Sequence, residues 1–410
     1  MDSISFGPVR EPRRVWRGWR PRRGWPGGRV WLVVLAAAAA LAVAAVVLVI
    51  TGGPQRPAFN ARLLLAGLPV RGGAGLFLGG EYVWRPGWPP RPVAGLLSDG
   101  LSSLLPPAHA GEADQLAPVP GGVVAHISDI STGATYGALG RVVFIPAASA
   151  PVRVIAWATM IAVSPDGRRV WVQTAVQSMQ NGVGVSASFT SPTWAVDLTG
   201  RRVSPVLHLP FGLAGATGAG PLTLNLVTGR VQLWNGATGQ QIPMSLPAGA
   251  GFVAAGRDRV IWSSCHASCL LHVTDPATGT DVTYPLPPGW QPPAVAYPPP
   301  PASFDPAGQR LVLPLDRVDS AGNITAQGLF IAGNGALRST PGRLRLPPSA
   351  TATAGVVLAG AWDQRGVLWA LATDPGSGYY QLGFWTGTGP LHTFPPAQGS
   401  PVTLSAPGPG

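Results

Sequence analysis

The sequence predicts an all-β domain of repeated sheets that follows a single transmembrane helix. Three observations support this: an apolar run near the N-terminus, short β-branched and aromatic segments in the remainder, and a turn motif that recurs between them. The 410 residues include 55 Gly, 46 Pro and 15 Trp, and 11% of them are charged. We expect a folded, turn-rich chain because Trp, Val and Leu supply enough apolar surface to bury.

The apolar run covers residues 30–50 and reads VWLVVLAAAAALAVAAVVLVI. As a helix it would span roughly 30 Å, the thickness of a bilayer's hydrocarbon core. Helix is expected because lipid offers no partner to an unpaired backbone amide, and Gly52, Gly53 and Pro54 end the run. The predicted organisation is a cytoplasmic tail at 1–29, a transmembrane helix at 30–51, a spacer at 52–58, an extracytoplasmic domain at 59–405 and a C-terminal tail at 406–410.

The charge of the tail sets the predicted topology. The net charge is +11, and all 28 basic residues are Arg. Eight of them precede residue 30, against Asp2 and Glu11, whereas only Arg56 and Arg62 lie close beyond the run. An excess of Arg on one flank places that flank in the cytoplasm. The topology-setting residues are Arg13, Arg14, Arg17, Arg20, Arg22, Arg23 and Arg29.

A cleaved secretory signal is the alternative interpretation of the apolar run. Ala40-Leu41-Ala42 offers a small-x-small cleavage site behind a basic leader. The run continues well past that site, however, and exceeds the roughly 7 to 15 apolar residues of most signals, which favours an anchor. Either interpretation exports the rest of the chain.

Arg interleaved with Trp in the tail suggests a second partner besides lipid. Such a segment could pair phosphates and stack on bases of a nucleic acid. We favour a polybasic segment that lies against anionic lipid headgroups, because the tail is short and contains scattered Pro and Gly. The predicted partner on this side is membrane lipid, with no nucleic acid.

Short β-branched and aromatic segments follow from residue 59 onward, each bounded by Gly, Pro, Asp or Asn. Their length is typical of strands, and no convincing amphipathic helix interrupts them. The best examples are VVAHISDI, RRVWVQTAV, RVIWSSC, CLLHVTD, QRLVLPL and VLWALATD.

A glycine turn recurs between these segments and predicts the architecture. Its spacing is irregular but centred on the ~40 to 50 residues of a four-stranded propeller blade. Seven such turns predict a seven-bladed β-propeller, in which each sheet buries both faces against its neighbours. The turns are at Gly87, Gly133, Gly200, Gly239, Gly279, Gly335 and Gly387.

One turn carries a resemblance to a known family. Residues 163–172 read VSPDGRRVWV, in which Ser164, Pro165, Asp166 and Gly167 resemble the Ser-Pro-Asp-Gly repeat of TolB-type, WD40-like β-propellers. In that repeat Pro-Asp-Gly forms a tight turn and the next apolar run is a blade strand. The arrangement is similar to membrane-anchored propellers of actinobacteria. The resemblance implies a fold and a location, and no particular reaction.

Degenerate versions of this turn surround Asp305 and Asp363. We interpret these residues, with Asp166, as turn residues rather than catalytic carboxylates, because Asp and Gly stabilise tight turns. A hydrolase that uses two carboxylates needs a close pair, and nothing in this spacing provides one.

Cys265 and Cys269 flank a three-residue loop in a predicted hairpin. In an exported protein, two Cys that face each other across a hairpin favour a disulfide. The alternative is a zinc site that also uses His266 and His272. We favour the disulfide, and predict no catalytic, cofactor-binding or metal residue.

The Pro-rich stretch at 285–301 also has two interpretations. It could be an exposed polyproline II ligand for a partner, or a stiff connection between blades. Its position between the turns at Gly279 and Gly335 favours the connection.

Several enzyme classes are excluded by residue types that the chain lacks. Without any Lys there is no Walker A lysine, no kinase lysine and no Schiff-base amine. We therefore expect an outward-facing platform that binds a protein or cell-wall ligand, with no cofactor. The alternative is an enzyme with a small catalytic or metal centre in the central channel. Carboxylates or His converging at the axis would favour that alternative.

Overall fold

The computed structural model describes most of the chain from residue 112 and a few strands before it. The described residues are 77–79, 82–83, 91–92, 112–128, 140–146, 152–174, 190–225, 228–244, 246, 250–265, 268–293, 302–344, 346, 356–374, 379–398 and 403–405. Within these ranges no helix is long and apolar enough to cross a membrane. The predicted segments at 1–29, 30–51, 52–58 and 406–410 lie outside them.

Antiparallel β-strands make up the regular structure of the described residues. Three short strands come first: β1 (Phe77–Gly79), β2 (Tyr82–Val83) and β3 (Arg91–Pro92). Blade 1 then consists of β4 (Glu112–Val119), β5 (Gly122–Ser128), β6 (Gly140–Pro146) and β7 (Arg153–Ala158). Blade 2 consists of β8 (Met160–Val163), β9 (Arg169–Gln173), β10 (Thr190–Asp197) and β11 (Leu207–Pro210). Blade 3 consists of β12 (Gly212–Thr217), β13 (Gly220–Leu224), β14 (Val231–Trp234) and β15 (Gln241–Ile242).

The second half of the domain repeats this plan with two variations. Blade 4 consists of β16 (Gly251–Gly256), β17 (Arg259–Cys265), β18 (Cys269–Thr274) and β19 (Asp281–Pro285). Blade 5 contains β20 (Trp290–Gln291), β21 (Ser303–Phe304), β22 (Leu311–Val318), β23 (Ile324–Gly333) and β24 (Ala336–Ser339), and both β20 and β21 pair with β22. Blade 6 contains β25 (Val357–Trp362), β26 (Leu368–Asp374), β27 (Tyr379–Trp385), β28 (His392–Thr393) and β29 (Ala397–Gln398), and both β28 and β29 pair with β27. The last strand is β30 (Thr403–Ser405).

The described strands thus form a β-propeller of six blades, and the prediction of seven blades is wrong. Five of the seven predicted turns join the third and fourth strands of blades 2 to 6. The other two turns do not mark blades. Gly133 falls between β5 and β6, and Gly87 falls between β2 and β3, which form a two-stranded sheet; both glycines lie outside the described residues. In blade 1 the sequence between β6 and β7 contains no glycine.

The second strand of a blade is covered on both faces by the neighbouring blades. In β26 all seven residues are buried, and all five are buried in β13. A strand that is buried on both sides reads as a near-continuous apolar run instead of an alternating one. The fourth strand lies at the outer edge, and in β19 only Tyr284 is buried.

The first strand of a blade pairs with only one neighbour, so its other edge presents N–H groups that need partners. Side chains of the preceding blade supply some of them. Gln115 Oε1 accepts from Ile161 N at 3.1 Å, between blades 1 and 2. Ser303 Oγ accepts from Trp362 N at 3.0 Å, between blades 5 and 6. These bonds set the position of one blade against the next.

The N-terminal and C-terminal strands of the domain pair with each other. β1 is antiparallel to β30, with Leu78 opposite Leu404. β30 also lies against β4 of blade 1 and β25 of blade 6. Leu404 is buried in one cluster with Trp369 and Tyr380 of blade 6. The pair therefore joins the first and last blades.

Replacing Gly167 of blade 2 by Ala tests how tightly blades 1 and 2 pack. Gly279 of blade 4 is the control, because it has the same backbone conformation. Gly167 has φ +67° and Gly279 has φ +71°. An added Cβ at Gly167 would lie 2.4 Å from Pro120 Cδ of blade 1, whereas one at Gly279 meets nothing within 4 Å. We expect Gly279→Ala to cost about 1 kcal/mol of unfolding free energy through backbone strain alone. Gly167→Ala should cost a further ~1 to 3 kcal/mol, because the contact with Pro120 must shift. Urea unfolding measures both, and equal losses would contradict this packing.

Candidate functional site

Blade 4 carries polar side chains on both faces of its sheet. Residues two apart on a strand share a face, and cross-strand partners share it too. Trp262 lies opposite His272 in the pairing of β17 with β18, and Thr274 lies opposite Asp281 in the pairing of β18 with β19. These four residues and Ser264 therefore lie on one face. On this face Val260 packs with blade 3.

A chain of hydrogen bonds links Ser264, His272 and Asp281. His272 Nδ1 lies 2.8 Å from Asp281 Oδ2, and His272 Nε2 lies 3.0 Å from Ser264 Oγ. A carboxylate only accepts, so the bond to Asp281 places a proton on Nδ1. In the tautomer with that single proton, Nε2 accepts from the Ser264 hydroxyl. This is the order of groups in a Ser-His-Asp relay.

Two further contacts fix the imidazole of His272. Thr274 Oγ1 donates to Asp281 Oδ1 at 2.7 Å, and Trp262 Nε1 donates to Thr274 Oγ1 at 2.7 Å. The Trp262 ring stacks on the His272 ring with centroids 3.6 Å apart and an interplanar angle of 6°. Trp262 and His272 are buried, so the imidazole has one orientation.

A disulfide between Cys265 and Cys269 closes the hairpin immediately after Ser264. The two cysteines lie opposite each other in the strand register, as the predicted hairpin required. Both nitrogens of His272 are already engaged by Ser264 and Asp281, which argues against a zinc site. Within the described ranges no three His, Cys, Asp or Glu residues converge as a metal site would require. His266 lies outside these ranges.

The opposite face of blade 4 borders a cleft against blade 5. The cleft has a volume of about 190 Å³. Arg259 and Asp275 form an ion pair in it, with Arg259 Nη1 2.5 Å from Asp275 Oδ2. Apolar walls come from Val282 and Tyr284 of β19 and Phe304 of β21.

Burial and neighbouring groups shift the pKa values of Asp275 and Tyr284 in this cleft. Burial opposes ionisation of Asp275, but the backbone N–H of Ala277 and the Arg259 charge outweigh it and lower the pKa of the carboxyl. Burial raises the pKa of the Tyr284 phenol. At neutral pH the cleft thus presents a fixed ion pair beside a neutral aromatic wall.

The described strands that lead each blade contain few ionisable residues. In the described strands that lead each blade, and in β30, the ionisable residues are Glu112 and Asp114 of β4. The other leading strands contain Gly, Ala, Val, Leu, Ile, Met, Phe and Trp, with one Ser, one Thr and one Gln. On the described leading strands no cluster of carboxylates or His is therefore found.

The Ser-Pro-Asp-Gly turn joins β8 to β9 in blade 2. Ser164 Oγ donates to Asp166 Oδ1 at 2.5 Å, and Arg168 N donates to the same oxygen at 3.1 Å. Gly167 N donates to Ser164 O at 2.8 Å, which closes the turn that Pro165 begins. The Asp166 carboxylate therefore accepts hydrogen bonds from its own turn, as expected of a turn residue.

The carboxylates of Asp305 and Asp363 also accept hydrogen bonds from residues close to them in the sequence. Asp305 Oδ2 accepts from Arg310 Nε at 2.8 Å, and Asp305 Oδ1 accepts from Gln309 N at 2.7 Å. Asp363 Oδ2 accepts from Trp369 Nε1 at 3.3 Å. The two residues belong to different blades and do not form a catalytic pair.

Two other predictions from the sequence concern the Arg residues of the tail and the Pro-rich stretch. Arg13, Arg14, Arg17, Arg20, Arg22, Arg23 and Arg29 lie outside the described residues. Of the Pro-rich stretch, residues 285–293 are described and include β20, which belongs to blade 5 itself. Residues 294–301 lie outside the described ranges.

Sequence reasoning missed Ser264 and Asp281. Counting outward from the pairing of Cys265 with Cys269 would have placed Trp262 opposite His272 and Ser264 nearby.

Comparisons with known proteins find only remote likenesses among solved structures. No family model matches this chain, and no curated protein matches it. The propeller domain of the Trilobed protease from Pyrococcus furiosus is 13% identical, with 67% of this chain and 83% of that one covered and a TM-score of 0.39. The acylaminoacyl peptidase of Pyrococcus horikoshii is 10% identical, with 68% of this chain covered and a TM-score of 0.43, and this chain spans 45% of its length. The Cps50 (Swd1) propeller domain of Myceliophteria thermophila is 12% identical, with 71% and 88% covered and a TM-score of 0.39. These likenesses assign no family or role to this chain, and its propeller fold rests on its own strand order.

The buried turn carboxylate of Asp305 predicts a loss of stability in acid. Burial opposes its ionisation, but the hydrogen bonds from Arg310 and Gln309 outweigh it and hold its pKa below the ordinary 3.8. A carboxyl with a lowered folded pKa stabilises the fold above pH ~4, and this stabilisation is lost as the pH falls through the folded value. We expect Asp305→Asn to cost about 2 kcal/mol at pH 7 and to lose less on acidification from pH 5 to pH 2 than the wild type. Thermal unfolding across this range measures it, and parallel curves for both proteins would contradict the assignment.

Proposed function

We propose that this protein is a membrane-anchored β-propeller that acts as a binding platform for a protein or cell-wall ligand outside the membrane. The observation that carries the proposal is the cleft between blades 4 and 5, together with the absence of converging ionisable groups on the described leading strands. A platform needs a recognition pocket on its surface and no reactive centre at its axis.

The chemistry of the cleft favours one protruding group of a larger partner. A volume of about 190 Å³ is below the usual range of pockets that enclose a whole small molecule. Val282 is 42% exposed, and the Arg259 side chain is 40% exposed beside it. An apolar side chain of a peptide, or an apolar substituent of a wall polymer, could lie on Val282 and Phe304 while a polar group meets the ion pair.

The sequence supports the location that we propose. The apolar run at 30–50, the Arg-rich tail before it and the seven-residue spacer at 52–58 together fit an anchor close to the outer surface. The Ser-Pro-Asp-Gly turn at Ser164 to Gly167 supports a place among TolB-type, membrane-anchored propellers of actinobacteria. A partner must then reach the cleft near the lipid surface.

Site-specific photo-crosslinking tests the cleft as the recognition surface. A photoreactive phenylalanine analogue replaces Val282 in cells that make the full chain, and in a matched control it replaces Val206, which is 39% exposed in blade 2. We expect one specific protein or glycan adduct from position 282 and none from 206, identified by mass spectrometry. No specific adduct at 282, or the same adducts at both positions, would contradict the proposal.

Fractionation tests the anchor. We expect the full chain to stay in the membrane pellet after alkaline carbonate extraction, because about 20 apolar residues bury in lipid. A variant that lacks residues 30–50 should leave the pellet. N-terminal sequencing separates the two interpretations of the run: an intact Met1 or Asp2 supports an anchor, whereas a new N-terminus after Ala42 would show a cleaved signal.

A further inference from the structure

We propose that Ser264 is an activated nucleophile that activated carboxylic esters acylate, with His272 as its general base and Asp281 as the residue that positions His272. The inference goes beyond the proposed binding role and concerns the opposite face of blade 4 from the cleft. It rests on geometry alone, because each of the three groups lies within hydrogen-bond distance of the next.

The relay has the two bonds that a serine nucleophile requires. Its base must lie within ~2.6 to 3.2 Å of the hydroxyl, and a third group must hold the base in the right tautomer. His272 Nε2 is 3.0 Å from Ser264 Oγ. His272 Nδ1 is 2.8 Å from Asp281 Oδ2, which fixes the proton on Nδ1 and leaves Nε2 free to accept.

The oxygen of Ser264 remains available for bonding. Among the described residues, His272 is its one hydrogen-bond partner. With the single imidazole proton on Nδ1, Ser264 donates this bond, and both lone pairs of Oγ are unused within the described part of the chain. Ser264 is half-buried, whereas His272 is 8% exposed and stacked on Trp262.

Ser264 lies at the open end of this network. Trp262, Thr274 and His272 Nδ1 are linked through Asp281 and one another, whereas the partner of His272 Nε2 is Ser264 Oγ. Ser264 stands at the last position before the Cys265–Cys269 disulfide. The disulfide holds the hairpin closed and so keeps Ser264 in register with His272.

The reaction is an acyl transfer followed by hydrolysis. Ser264 Oγ attacks the ester carbonyl carbon and forms a C–O bond, while its proton passes to His272 Nε2. The bond to the leaving alkoxide breaks, and the alkoxide takes that proton. Water then attacks the acyl group by the same route, which releases the carboxylic acid and restores Ser264. The relay supplies proton transfer, so we expect about 10²- to 10⁴-fold acceleration over the His272→Gln variant, which lacks the general base.

Active-site labelling of the full chain in detergent tests the inference. The probe is a fluorophosphonate, which forms a bond from Oγ to phosphorus as fluoride and the serine proton leave. We expect label on the peptide that contains Ser264, and matching hydrolysis of p-nitrophenyl acetate. Ser264→Ala and His272→Gln should lose both signals, and Asp281→Asn should weaken them at least tenfold. The matched control Ser263→Ala, on the other face of the same strand, should keep both.

Three results would contradict a nucleophilic Ser264. No label on the wild type, or label and ester hydrolysis in Ser264→Ala at the wild-type rate, would overturn the inference. If His272→Gln fails to fold by circular dichroism, the comparison of Ser264→Ala with Ser263→Ala still decides, because each removes a single hydroxyl from a partly exposed site. Loss of reactivity in both serine variants alike would show that position 264 has no special role.

Discussion

Burial of each blade against the next is the constraint on which the rest of this structure depends. A sheet whose second strand is apolar on both sides, such as β26, must be covered on both faces to be stable in water. Blades 2 to 5 obtain this cover from their neighbours in the chain. Blades 1 and 6 need a partner from the other end, and the pairing of β1 with β30 lies between them. The ring therefore depends on a contact between remote parts of the sequence.

The same packing places two different surfaces on blade 4. One face carries the relay of Ser264, His272 and Asp281 under the Trp262 ring, and the other borders the cleft with Arg259 and Asp275. Period-two alternation along β17 and β18 separates them, since neighbouring residues point to opposite faces. The recognition that we propose for the cleft and the reactivity that we propose for Ser264 therefore concern opposite faces of one sheet.

Local chemistry was predictable from the sequence, and remote pairing was not. Turn glycines such as Gly239 and Gly279 need positive φ, which residue type alone suggests, and they mark real blade hairpins. Seven blades were predicted because Gly133 and Gly87 look the same in sequence although neither joins the third and fourth strands of a blade. The contact of Ser264 with His272 follows from the register of β17 with β18, which is continuous back from the Cys265–Cys269 pair. The pairing of β1 with β30 joins segments more than 300 residues apart, and no spacing along the chain indicates it.

β1 and β30 close the ring, and a disulfide engineered between these two strands tests the closure directly. Leu78→Cys and Leu404→Cys, introduced together in a protein whose Cys265 and Cys269 are replaced by Ser, place two thiols at directly opposed positions. The closed propeller predicts that they oxidise to one intramolecular disulfide in the folded protein, seen as resistance to alkylation that reduction abolishes. Two thiols that alkylate fully in the folded, oxidised protein would contradict the closure.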